Sequence, residues 1–222
     1  MKKTKSALIV ANGEAQSDLD QLLRCHDCVI AVDGGLRHLL ALGLFPHLLI
    51  GDLDSITQDQ LKICQDNQVE ILRYKSEKDE SDLEIALYEA LKRDFRKITI
   101  ACAVGGRVDH ELSNIALLFH PSLEGFEVTL RGERTAIYAL NGGITLATRP
   151  GDIISLLPWG KPASGVKTTG LVYSLTYETL LPYETRGLSN LCLGDTAAVS
   201  LQQGRLLLIH ISTPLKERLS DE

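Results

Sequence analysis

No apolar run in these 222 residues approaches the ~20 that a membrane-spanning helix needs. An excess of positive charge is missing as well. The net charge is −6, which argues against nucleic acid or an anionic membrane as the main partner but leaves room for a locally positive site that takes phosphate. A disulfide framework is also absent, because the five cysteines are odd in number and scattered. Cys25-His26-Asp27-Cys28 has the spacing of a redox or zinc site, yet no second ligand pair follows it, and it is read as incidental. Cys28, Cys102 and Cys192 fall in apolar, strand-like segments where a thiol behaves as a small hydrophobe. Met1-Lys2-Lys3-Thr4-Lys5 leads into a short apolar stretch without a small-residue cleavage site, so a cytoplasmic protein is expected. There is no internal repeat and no low-complexity linker. The single tryptophan, Trp159, stands near a strand end, where packing is the expectation.

What is present divides the chain in two. From Ser6 to about Phe119, continuously apolar runs alternate with segments of helical spacing. The runs are Ala7–Ala11, Val29–Val32, Leu48–Ile50, Val69–Leu72 and Ile98–Cys102, and such runs are typical of parallel strands covered on both faces. Between them, one helix follows Gly34-Gly35 and another starts at Thr57, whose Gln60 completes a capping-box pattern. A third starts at Ser81 with Glu84 three residues on, and a fourth runs from Val108 to about Phe119. Strand and helix in alternation predict a parallel α/β sheet. After Pro121 the segments become short and strand-like, with glycine, proline and polar turns between them, which predicts a β-sandwich or barrel. The expected organisation is an α/β domain over 1–130 and an all-β, sandwich-like domain over 131–222.

Chemistry is expected first at Leu48-Leu49-Ile50-Gly51-Asp52-Leu53-Asp54-Ser55-Ile56. In an extended chain Asp52 and Asp54 project to one side while Leu53 turns to the core. Two charges ~4 Å apart repel by about 4 kcal/mol at an effective dielectric of 20, so a fold that keeps both beside a cleft usually supplies a cation. Mg²⁺ suits such a pair and keeps positions open for substrate phosphates. The plain alternative is a strand ending in a polar turn. In an open parallel sheet ligands gather at the carboxyl ends of the strands, and three further ends carry polar clusters: Asn12-Gly13-Glu14, Asp33-Gly34-Gly35 and Gly105-Gly106-Arg107-Val108-Asp109-His110. Glycines ahead of a helix let the backbone approach a phosphate, which is how an acidic protein can bind ATP. Asp82, in a first helical turn, is either favoured there by the helix dipole or a third metal ligand. Arg107 can fork onto phosphate oxygens or pair with a neighbouring acid. Asp109 and His110 can orient or deprotonate an attacking hydroxyl.

Taken together, these motifs carry a family resemblance. Asp33-Gly34-Gly35, Gly51-Asp52-Leu53-Asp54-Ser55, Lys78-Asp79-Glu80-Ser81-Asp82 and Gly105-Gly106-Arg107-Val108-Asp109-His110 occur in an order and spacing that resemble thiamine pyrophosphokinase (thiamine diphosphokinase). Thr169-Gly170-Leu171-Val172-Tyr173, Ser189-Asn190 and the segment from Gly204 to Ile209 extend the resemblance over nearly the whole chain. It implies Mg²⁺-dependent transfer of the diphosphate of ATP to the hydroxyl of thiamine, giving thiamine diphosphate and AMP. It also implies a homodimer with the active site at the subunit interface, and neither nucleic acid nor membrane as partner. By motif match Asp52, Asp54 and Asp82 are the metal carboxylates, and these three with Asp109 form the catalytic set. Asp33, Gly34, Gly35, Arg107 and Asp109 surround ATP, while Tyr173, Ser189 and Asn190 face thiamine. Two positions depart from the family pattern: Leu36-Arg37 stands in place of a small residue and asparagine, and Leu191 in place of glutamate. The competing expectations are a phosphatase of the haloacid-dehalogenase type, whose D-x-D signature Leu48–Ile56 imitates, and a non-catalytic thiamine- or nucleotide-binding protein.

Overall fold

Apolar periodicity decides where the strands of this chain go, and each strand then decides where a polar loop must end. A computed structural model describes residues 4–214; Met1, Lys2 and Lys3, part of the basic start read for a leader peptide, lie outside them. The chain divides into two compact units, Met1–Glu133 and Arg134–Glu222. No helix among the described residues is long and apolar enough to cross a membrane.

The first unit runs β1 (Ser6–Val10), α1 (Leu19–Arg24), β2 (Cys28–Val32), a 3-10 turn over Asp33–Gly35, α2 (Leu36–Ala41), β3 (Leu48–Gly51) and α3 (Gln58–Asp66). It continues with β4 (Glu70–Arg73), α4 (Asp82–Lys92), β5 (Lys97–Ala101), α5 (Val108–Leu117), a 3-10 turn over Pro121–Leu123 and β6 (Glu127–Arg131). Its six strands lie in the order β6-β5-β1-β2-β3-β4 and all pair in parallel. Glu127–Leu130, read among the short strands after Pro121 but within the α/β domain expected over 1–130, pairs with β5 as part of β6 and completes this sheet. Burial follows the period of two. Leu8 and Val10 of β1, Val29 and Ala31 of β2 and Leu49 of β3 form one core layer with Leu36, Leu39 and Cys64 of α2 and α3. The alternate residues Ile9, Ile30 and Ile50 are equally buried, and α4, which packs on β1, β2 and β3, buries Leu83, Ala86, Leu87 and Ala90. The expected capping box forms at Thr57, with Gln60 closing it in both directions. At Ser81 only half of it forms, because the Glu84 carboxylate accepts the Tyr88 hydroxyl at 3.0 Å.

The second unit is all β, as its turn-punctuated sequence predicts. It consists of β7 (Thr135–Leu140), β8 (Gly143–Ala147), β9 (Ile153–Pro158), β10 (Ala163–Thr169), β11 (Glu178–Leu180), β12 (Asn190–Leu191), β13 (Thr196–Ser200) and β14 (Leu206–Ile211). Antiparallel pairs give the rows β12-β9-β14-β7 and β11-β10-β13-β8. Ile154, Leu156, Leu206 and Leu208 of the first row and Val166, Leu180, Ala197 and Val199 of the second share one core, which makes the unit a sandwich. A buried polar knot ties the start of β9 to the end of β14. The Asp152 carboxylate, 2% exposed, accepts the backbone N–H of Arg149 at 2.9 Å and of Thr213 at 3.1 Å, and lies 3.1 Å from His210 Nε2. Burial pushes its pKa up, but these donors outweigh burial and hold it below the ordinary carboxylate value.

Asp152→Ala is therefore expected to destabilise the protein by about 3 kcal/mol, because it removes a buried carboxylate that accepts two backbone N–H groups and pairs with a histidine. The sign of the pH dependence follows from the lowered pKa. The contribution is fully present above the unfolded carboxylate value and is lost as pH falls through the folded one. Urea unfolding of both proteins across pH should show the gap narrowing on the acid side; a gap independent of pH would be inconsistent with the ionised carboxylate as its source.

Candidate active site

Strand order decides where a ligand can enter the first unit. The chain moves outward from β1 to β4, then returns to place β5 on the other side of β1, so the loops that leave β1 and β5 diverge at a topological switch point. A cavity of about 1070 Å³ opens there, lined by Asn12, Gly13 and Glu14 after β1, Gly105, Gly106 and Arg107 after β5, and Asp33 after β2. The loop after β1 is fastened by main-chain and side-chain bonds. Gly13 N–H donates to Cys102 O at 2.6 Å, and the buried Gln16 accepts Cys102 N–H at 2.9 Å while donating to Asp18 at 2.7 Å. Arg131 reaches Asp18 at 3.3 Å. From α2, Arg37 Nη2 donates to Asn12 O and Gly13 O at 3.1 and 3.0 Å, and His38 Nε2 lies 3.1 Å from Gly13 O. Burial, with the Arg37 charge, pushes the His38 pKa down, so a neutral imidazole donates to that carbonyl at neutral pH. Asn114 on α5 donates to Ala103 O at 2.8 Å. Of these supports, Asn12-Gly13-Glu14 is visible in the sequence as a strand-end cluster, whereas Gln16, Arg37, His38 and Asn114 carry no signal beyond lying near one.

Beside the cavity three carboxylates converge. Oxygens of Asp33, Asp52 and Asp54 all lie within 4.8 Å of one another. Because β2 and β3 are neighbours, the residues just past their ends meet. Asp52 and Asp54 converge for a reason other than the expected strand alternation: β3 stops at Gly51, and Leu53 takes φ +65°. The chain turns there, with Asp54 N–H donating to Asp52 Oδ1 at 3.1 Å, the local bond typical of aspartate in turns. That N–H, the Ser76 hydroxyl and the Lys78 charge hold the Asp52 carboxyl below its ordinary pKa. Asp33 also sits at positive φ, +45°, and its Oδ1 is buried with no hydrogen-bond partner among the described residues. An orphaned buried carboxylate oxygen beside two further carboxylates is the donor set that a hard divalent cation satisfies, and so these residues fit Mg²⁺.

The other expected site residues fall as follows. Asp82 lines the large cavity, but its carboxylate is paired with Lys78 Nζ at 2.7 Å, outside the three-carboxylate cluster. Arg107 and Asp109 form a two-bond ion pair, 3.1 and 2.5 Å, with both side chains mostly exposed. The guanidinium holds the Asp109 pKa down to about 2, which makes it a weak base. Gly34 and Gly35 are buried, and the reason is close packing. A Cβ on Gly35 would lie 2.3 Å from Val10 O and 2.8 Å from Ala11 O, and one on Gly34 would strike the Asn12 side chain. In the second unit, Asn190 spends both ends of its amide on the Tyr173 backbone, accepting N–H at 3.0 Å and donating to the carbonyl at 2.7 Å. It thereby braces a loop whose Tyr173 ring is 64% exposed. Ser189 is exposed, at φ +54°, with its N–H on Ser155 Oγ.

The two glycine environments separate packing from backbone freedom. Gly35→Ala is expected to cost about 3 kcal/mol, since only main-chain atoms could give way. Gly106 has nothing within 4 Å of a built Cβ but sits at φ +95°, so Gly106→Ala should cost about 1 kcal/mol of conformational strain. Thermal unfolding of the two variants should show this order, and the reverse order would remove the packing argument for Gly35.

Comparison with known proteins extends over both units. A family model described as thiamin pyrophosphokinase, catalytic domain, matches residues 19–130, and one described as thiamin pyrophosphokinase, vitamin B1 binding domain, matches residues 144–206. The thiamine pyrophosphokinase of Bacillus subtilis (strain 168) is 29% identical over 209 residues, covering 92% of this chain and 98% of its own. The crystal structure of thiamine pyrophosphokinase from Bacillus subtilis superposes with a TM-score of 0.85 at 27% identity, covering 95% of this chain and 100% of that one. A thiamin pyrophosphokinase family protein from Enterococcus faecalis gives a TM-score of 0.80 at 26% identity, with the same coverage. These matches do not favour the phosphatase alternative. With Asp33, Asp52 and Asp54 lying inside the catalytic-domain match, the chain belongs to the thiamine pyrophosphokinase family.

Proposed function

We propose that the chain transfers the diphosphate of ATP to the hydroxyl of thiamine, giving thiamine diphosphate and AMP, with Mg²⁺ held by Asp52 and Asp54 together with Asp33. One observation carries the metal assignment: the buried, unpartnered Asp33 Oδ1 within a cluster of three carboxylates. When bound, Mg²⁺ supplies the positive charge that phosphate oxygens need in an otherwise acidic site. The rest of the work is positioning, which is what phosphoryl transfer chiefly requires. The switch-point cavity receives ATP, with Asp33 in its wall and the buried Gly34-Gly35 turn packed against Asn12 and the end of β1. Arg107 stands at the rim, where it can exchange Asp109 for phosphate oxygens. Asp82 pairs with Lys78 and completes the acidic rim; as a metal ligand it would first have to release that lysine. Asp109, with its pKa near 2, orients Arg107 better than it accepts a proton.

Thiamine recognition is assigned to the second unit, through the exposed Tyr173 ring and Ser189, with Asn190 holding the Tyr173 loop in place. An exposed tyrosine can stack on an aromatic ring and add a cation–π contribution of about 0.5–2 kcal/mol towards a thiazolium. We further propose a homodimer with the active site at the subunit interface. The five free cysteines support a reducing, cytoplasmic setting.

The deciding experiment is incubation with ATP, Mg²⁺ and thiamine, with products separated by chromatography. AMP together with thiamine diphosphate is expected, whereas free phosphate would favour a phosphatase and unchanged substrates a binding protein. Asp33→Asn, Asp52→Asn and Asp54→Asn should each lower turnover by about 10²–10³-fold at limiting Mg²⁺. Metal-free Asp33→Asn and Asp54→Asn should be at least as stable as the parent, because each loses a repulsion, whereas Asp52→Asn also gives up the Asp54 N–H, Ser76 and Lys78 interactions that favour its charge. Near-normal turnover in any of them would refute the metal assignment for that residue. For the dimer, an Asp54→Asn chain mixed with a Ser189→Ala/Tyr173→Ala chain should regain activity on subunit exchange. A monomer by sedimentation, or no recovery, would confine each site to one chain.

A further inference from the structure

The switch-point cavity is short of positive charge where a triphosphate needs it. Its wall carries the carboxylates of Glu14, Asp33, Asp82 and Glu111, and one of its arginines, Arg107, is closed on Asp109 at the exposed rim. Arg37 is different. It lines the same cavity, it is exposed, and among the described residues it has no carboxylate partner. Both of its hydrogen bonds run from Nη2 to main-chain carbonyls, those of Asn12 and Gly13. Bonds to neutral carbonyls fix the guanidinium without neutralising it. The charge is felt nearby, since after burial it is the second cause that pushes the His38 pKa down. A guanidinium has five N–H donors, so Nε and Nη1 keep theirs.

We propose that Arg37 is a specificity-determining residue of the donor site, which reads the phosphate chain of a nucleoside triphosphate with the guanidinium N–H groups that the Asn12 and Gly13 carbonyls leave unused. The inference rests on the cavity being the ATP site. Phosphate is favoured over the base for two reasons. A planar, always-charged fork matches phosphate oxygens in pairs, and among four carboxylates only an anionic ligand group gains from the cation. The two carbonyl bonds hold the fork in place beforehand, so less conformational freedom is lost on binding.

Calorimetric titration of the intact chain with Mg²⁺ and α,β-methylene-ATP, and separately with adenosine, tests this on the parent, Arg37→Gln and Arg37→Lys. Glutamine keeps a donor for the carbonyls and removes the charge; lysine keeps the charge and removes the fork. Arg37→Gln should bind the triphosphate analogue about 10- to 100-fold more weakly, with adenosine affinity unchanged and a flatter dependence on salt. Arg37→Lys should keep the parent's salt dependence while losing part of the affinity. Equal losses for adenosine and the analogue would mean that Arg37 holds the loop or the base, and no loss in Arg37→Gln would mean that it only clamps the loop; either overturns the inference. A parent chain that fails to bind the analogue would instead overturn the donor-site reading on which the inference stands.

Discussion

Three carboxylates held within 4.8 Å of one another repel each other in any fold, and the first unit is arranged so that this repulsion can be tolerated. A pair of such charges ~4 Å apart costs about 4 kcal/mol at an effective dielectric of 20, against a net folding stability of about 5–15 kcal/mol for a whole domain. The cluster therefore has to stand on structure that is stable for other reasons. β1, β2 and β3 supply it: every residue of β1 and β3, and all but the first of β2, is buried. Both faces of the sheet are covered, one by α2 and α3 and the other by α4. The acids themselves sit just past the strand ends, where their backbone is freed from the ladder.

Leaving the ladder strains the backbone, and three of the strand ends around the site show it. Asp33, Leu53 and Cys102 follow β2, β3 and β5 and all have positive φ, at 45°, 65° and 55°. Aspartate visits this region with some ease; a leucine does so only when its surroundings insist. Leu53 is buried at 5% exposure within the core layer, so burial of its side chain holds the turn that brings Asp52 and Asp54 together. Gly35 contributes in the opposite way: having no Cβ, it lets the turn that carries Asp33 settle against the main-chain carbonyls of Val10 and Ala11.

The second unit uses polar groups differently. Its buried polar side chains brace backbone: Asp152 gathers Arg149, Thr213 and His210, and Asn190 clips both polar atoms of the Tyr173 main chain. What remains exposed beside them is aromatic and aliphatic, with Tyr173, Val172 and Leu191 on adjacent segments. The first unit thus carries an acidic cavity at its strand ends and the second an exposed aromatic loop.

Much of this was legible in the residues alone. A period of two or 3.6 is a local property, so the strands from β1 to β5, the start of α3 at Thr57 and the change to short strands could be read without any contact being known. The strand-end clusters could be read too, because a polar run after an apolar one has to leave the sheet. Partner choice could not be. That Asp33 joins Asp52 and Asp54 follows from β2 lying beside β3; that Asp82 takes Lys78, and Arg107 takes Asp109, follows from helical and turn geometry that brings opposite charges within 3 Å. That the Asn190 amide bonds the Tyr173 backbone with both its ends could not be read either. Sequence determined the elements, the two-part organisation and the chemical types gathered at the strand ends, because burial periodicity acts over a few residues. Only the tertiary structure decided which of those groups meet and which neutralise each other, because electrostatics and hydrogen bonding act between atoms a few ångströms apart whatever their separation along the chain.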